Sequence, residues 1–159
     1  MKQHRPLAEL LADLAETIGA RAQEYPRFAE RLREHDLTAQ IRTEAASEGR
    51  SYRFEGGTLT SWVGIVDHPD VELVFRSPDL ALKVLRPDRD HAAWVEGIKN
   101  LRIRLLGDGV KDIWFHEIIM GALEAPVYFG DAYGTDMGDG VKRFTNGTTG
   151  GPLFVYVKD

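Results

Sequence analysis

Two short stretches bring together the residue types that acid–base or metal chemistry needs. "DRDH", Asp88 to His91, sets two carboxylates beside an imidazole, and His116-Glu117 repeats the pairing on a smaller scale. Neither has the spacing of a metal site. No two of the five histidines stand i, i+4 apart, and there is no HExxH. Asp88 and Asp90 follow Pro87, where helix starts ordinarily carry acids. "DAYGTDMGDG", Asp131 to Gly140, has oxygen ligands but misses the calcium-loop spacing and its closing glutamate, so a solvated linker explains it better. "NGTTGG", Asn146 to Gly151, offers an anion-binding nest without the GK[ST] of a phosphate loop. Ser47, Ser51, Ser61 and Ser77 lack a GxSxG context and an evident base. The absence of cysteine excludes disulfides and thiolate metal sites. Residues 1–125 thus offer no catalytic constellation, and no cofactor is expected in this segment.

Binding is the chemistry left. The 159 residues suffice for one domain with a real core, and 43% hydrophobic with 28% charged residues is ordinary for a globular protein. A net charge of -5 argues against a nucleic-acid surface, which needs a basic face. Nowhere do 18 apolar residues run together, so no transmembrane segment is expected. The start, "MKQHRP", lacks the apolar core of a signal peptide, and a cytoplasmic location is the expectation.

The elements that must build a binding site are legible as changes of period. Leu7, Leu10, Leu11, Leu14 and Ile18 form one helical stripe, and Pro26 opens a second, short helix with Phe28 and Leu32 inward. After His35, alternation predicts strands at Leu37–Ile41, Tyr52–Glu55, Thr58–Val66 and Val71–Phe75. Their short links favour an antiparallel meander. Ser77-Pro78-Asp79 starts a helix that Pro87 stops, and a further helix covers Asp90–Ile98. Leu101, Ile103 and Leu105 alternate with Arg102 and Arg104 as a fifth strand. The order gives an α+β domain. A glycine-rich stretch from Gly130 to Gly151 reads as linker.

The helix over 110–123 carries Val110, Ile113, Trp114, Ile118, Ile119, Met120 and Leu123, an apolar surface wider than one face. It could line a ligand tunnel, and serves equally as a core helix or a subunit interface. Trp62 and Trp94 pose the same choice, with indole N–H groups that orient a ligand or meet a carbonyl.

"DVELVFRSPDLALKVL", Asp70 to Leu85, with "GIKNLRIRLLGDGVKDIWF", Gly97 to Phe115, resembles the sterol carrier protein domain. The resemblance covers about residues 37–123. It implies a five-stranded, mainly antiparallel sheet covered by helices on one face, with an apolar tunnel between the layers. It implies a partner too, a lipid or other apolar small molecule that is bound without reaction. The expected lining is Trp62, Phe75 and Leu82, then Trp94, Ile98 and Leu105, then Ile113, Trp114 and Met120. Residues 1–36 form a helical lead, 37–125 the sterol-carrier-like domain and 126–159 a linker with the start of a further domain.

That last expectation comes from "GVKRFTNGTTGGPLFVYVKD", Gly140 to Asp159. It is similar to the opening of the large subunit of pyrogallol transhydroxylase-like molybdopterin oxidoreductases. The resemblance implies a downstream catalytic domain, with molybdopterin bound beyond Asp159. The rival to a carrier is an assembly module with a filled core, docked on the enzyme or paired as a homodimer.

Overall fold

A computed structural model describes residues 5–45, 49–88 and 90–125. The chain divides into two units, Met1–Leu123 and Glu124–Asp159, and every element named here belongs to the first. The linker and the segment 140–159 lie outside the described residues.

The helical stripe becomes α1, Arg5–Glu24, with Leu7, Leu11, Leu14 and Ile18 all buried. It runs through Gly19, where an added Cβ would meet only open space. Helix α2, Pro26–Leu32, starts on its proline and buries Phe28 and Leu32. Strands β1, Leu37–Thr43, β2, Gly49–Glu55, β3, Thr58–Val63, and β4, Val71–Phe75, follow. Helix α3, Pro78–Val84, is capped by the Ser77 hydroxyl, which accepts from Leu80 N. Helix α4, His91–Lys99, is capped by Asp90, whose carboxylate accepts from Ala93 N at 2.9 Å. Strand β5, Ile103–Gly107, and helix α5, Gly109–Leu123, complete the unit.

The five strands form one sheet in the order β3-β2-β1-β4-β5. Every pairing is antiparallel except β1 with β4, which is parallel. The meander therefore fails at its last step: β4 does not lie beside β3 but on the far side of β1. The link over 64–70 crosses two strands to get there. Three inter-strand steps of about 4.8 Å are well within the reach of such a segment.

Side-chain chemistry holds that crossing in place. Gly64 N donates to Gly49 O at 3.1 Å, and Ser51 Oγ donates to Gly64 O at 2.8 Å. Gln40 Oε1 accepts from Val66 N at 2.8 Å. At the far end Asp70 is bonded twice to Thr38: its carboxylate accepts from Thr38 N, and its own N–H donates to Thr38 O. Ser51 and Gln40 sit on the sheet face away from the helices, and the crossing backbone buries both. Gly107, at φ +133°, lies against the same corner, where a Cβ would run into the Asp70 carbonyl.

The helices cover the other face. Leu37, Ala39, Ile41, Tyr52, Phe54, Val71, Leu73, Phe75 and Ile103 point toward them and are buried. Tyr52 Oη donates to Leu11 O of α1 at 2.7 Å. Burial pushes its phenol far above the ordinary value, so it remains a donor. The expected sheet, covered on one side, is thus present.

Candidate functional site

The layer between sheet and helices is built from rings. Phe54 meets Trp114 edge-on at 5.2 Å and Phe115 at 6.0 Å. Tyr52 lies 6.2 Å from Phe115, and Phe75 lies 6.5 Å from Trp94. Trp94 in turn stacks on His116 at 5.3 Å, and His35 meets Trp114 edge-on. The indole N–H of Trp114 donates to Arg31 O at 3.1 Å, tying α5 to α2. Such pairs contribute beyond their buried area and leave the layer ring-filled where they meet.

The nine expected lining residues part company here. Phe75, Trp94, Trp114 and Met120 are buried in the core. Leu82 and Leu105 are half-buried, and Leu105 faces the helices beside Leu73. Ile98 and Ile113 are exposed, at 38% and 55%. Trp62 pairs with Ser51 and so points to the face away from the helices, where it cannot line a hollow between the layers. The expectation followed bulk rather than strand parity. On an edge strand the covered face need not be the more apolar one.

One buried oxygen stands out in this layer. Thr43 follows Ile41 by two on β1, which points it toward the helices, and its Oγ1 is buried with no hydrogen-bond partner among the described residues. Buried hydroxyls usually have a partner, and an orphan costs stability.

A cleft of about 520 Å³ opens elsewhere, between α1 from Leu10 to Arg21, the Leu85–Pro87 turn after α3, and Leu123 of α5. Its apolar wall comes from Leu10, Leu14, Ala20, Leu85 and Leu123. Asp13, Glu16, Thr17, Arg21 and Arg86 supply its polar atoms. Arg21 is held by Glu24 at 2.8 Å and by Ala122 O at 3.2 Å, whereas Arg86 pairs loosely with Asp88 at 3.3 Å. Sequence reasoning missed this site because it joins three distant segments, none of which is distinctive by itself.

The acid–base candidates serve structure instead: Asp90 caps α4, and His116 stacks on Trp94. Asp108 caps α5, its carboxylate accepting from Val110 N and Lys111 N, and those two bonds hold its carboxyl below the usual range. Among the described residues, no three metal-ligating side chains converge. No helix there is long and apolar enough to cross a membrane.

Comparison with solved structures identifies the architecture. UbiJ-SCP2, a ubiquinone synthesis protein, matches with a TM-score of 0.50 at 13% identity, over 70% of this chain and 88% of that one. SCP2L2 from Aedes aegypti, solved in palmitated form, gives 0.45 at 18% identity, over 69% and 90%. The sec-alkylsulfatase Pisa1 from Pseudomonas sp. gives 0.38 at 23% identity, and the chain spans only 14% of that enzyme's length. No protein-family model matches, and no curated protein is significantly similar. The fold is that of the SCP2-type, sterol-carrier-like domain.

Proposed function

We propose that this is a non-catalytic binding domain for an apolar, lipid-like small molecule. The observation that carries it is the cleft under α1. Its volume of about 520 Å³ falls in the range of small-molecule sites, roughly 300–1,000 Å³, and it combines an apolar wall with a few charged groups. Transfer of hydrocarbon from water onto Leu10, Ala20 and Leu123 supplies the driving force, about 25 cal/mol per Å² buried. Arg86 is placed to meet an acidic head group, since its pairing with exposed Asp88 is weak.

Titration of the chain with a fluorescent fatty acid tests this. Saturable binding is expected, with affinity at least tenfold weaker in Ala20→Trp, which fills the cleft from an exposed position. Arg86→Ala weakens the acid several-fold and leaves a neutral alcohol of equal length unaffected. Absence of saturable binding, or an unaltered Ala20→Trp, defeats the proposal.

A second reading has its own support. The ring-filled layer, with Val110 and Ile113 left exposed on α5, suits an assembly module that docks on a partner or on a second copy. Concentration-dependent mass without ligand binding would favour it. That a molybdopterin oxidoreductase follows the domain rests on the resemblance of residues 140–159 alone. The coding frame past Asp159 tests that part.

A further inference from the structure

The end of α4 breaks a rule of helix termination. Arg102 N donates to Gly97 O at 2.8 Å and Leu101 N to Ile98 O at 3.2 Å. These are the paired 6→1 and 5→2 bonds of a Schellman stop, with Asn100 as C-cap and Leu101 at the following position. That position requires left-handed backbone, and Leu101 has φ +61°. Glycine ordinarily occupies it because a side chain there is strained. Packing offsets little of this, for Leu101 is 66% exposed.

The surroundings give the leucine a use. Val95, Ile98 and Leu101 recur every third residue, and all three are exposed, at 42%, 38% and 66%. Val95 and Ile98, three apart on α4, are neighbours on its surface, and Leu101 adds a third exposed apolar side chain two residues past the helix end. Exposed Lys99 and Arg102 stand on either side of Leu101 in the chain. Glu96, the carboxylate on the same helix, is engaged by Asn100, whose amide donates to it at 3.2 Å.

We propose that this corner is a docking point for an anionic lipid surface. Leu101 and Ile98 enter the boundary between head groups and acyl chains, while Lys99 and Arg102 meet lipid phosphates or carboxylates. The cationic flank selects a negatively charged membrane over a neutral one. The proposal is independent of the cleft, so loss of fatty-acid binding would leave it standing.

Co-sedimentation of the chain with vesicles of phosphatidylcholine and phosphatidylserine (7:3) tests it. Binding is expected in 0.1 M salt, several-fold weaker in 0.5 M salt and weaker again on pure phosphatidylcholine. Leu101→Gly should bind roughly tenfold more weakly, because one large apolar anchor is lost, yet melt no earlier than the native chain, since glycine suits the turn. Lys99→Gln with Arg102→Gln should weaken binding and flatten its salt dependence. Val63→Ser, at a residue 78% exposed on the opposite edge strand, should change nothing. The proposal is overturned if the native chain ignores anionic vesicles, if Leu101→Gly binds as well as native, or if Val63→Ser falls as far.

Discussion

The two faces of the sheet are made by the same strands, yet they are buried for opposite reasons. Toward the helices, Phe54, Phe75 and their ring partners remove apolar area from water. On the other face, Gln40 and Ser51 are just as buried, at 2% and 0%, because a backbone crosses above them and needs hydrogen-bond partners. One face tolerates changes of shape poorly and the other changes of chemistry. Burial alone does not say which kind of replacement a site will accept.

The contrast can be broken from the apolar side first. Phe54→Ala removes a ring that touches both Trp114 and Phe115, and should cost about 3–5 kcal/mol in denaturant unfolding. A loss below about 1 kcal/mol would mean that the layer is loosely packed.

On the polar face, Gln40→Leu keeps volume and adds hydrophobicity, yet should destabilise by about 1–3 kcal/mol. It strips Val66 N of its acceptor and Glu72 of a donor. If Gln40→Leu were neutral, the crossing link would not depend on this face.

The smallest effect sharpens the same comparison by pH. Glu72 accepts from Arg42 at 2.8 Å and from Gln40, and the bond from Arg42 is the chief reason its carboxyl sits below the usual value. A carboxyl lowered by folding contributes stability that is full above the unfolded-state value and is lost as pH falls through the folded one. The native chain should therefore lose on the order of 1 kcal/mol or less on acidification below about pH 4.5. Glu72→Gln should lack that component, as parallel urea titrations would show.

Much of the fold was legible, and for local reasons. Ser77-Pro78-Asp79 announced α3 because a cap, a proline and an acid act within one turn. The alternation of Tyr52 and Phe54 with Arg53 announced a half-buried strand. The leucine–arginine alternation that puts Leu101 in the fifth strand begins before the strand does, at the end of α4. Only the bonds back to Gly97 and Ile98 reveal a helix stop there. The cleft was illegible, being assembled from α1, the turn after α3 and the end of α5.

By itself, then, the sequence determined the order and type of the strands and helices and most of their extents, since periodicity and capping are properties of neighbours in the chain. Tertiary structure alone decided that β4 lies beside β1, that Trp62 faces away from the helices, and that α1, the turn after α3 and the end of α5 meet around a cleft. Those outcomes depend on which distant groups satisfy a crossing backbone and fill the volume between layers. No window of sequence contains both partners.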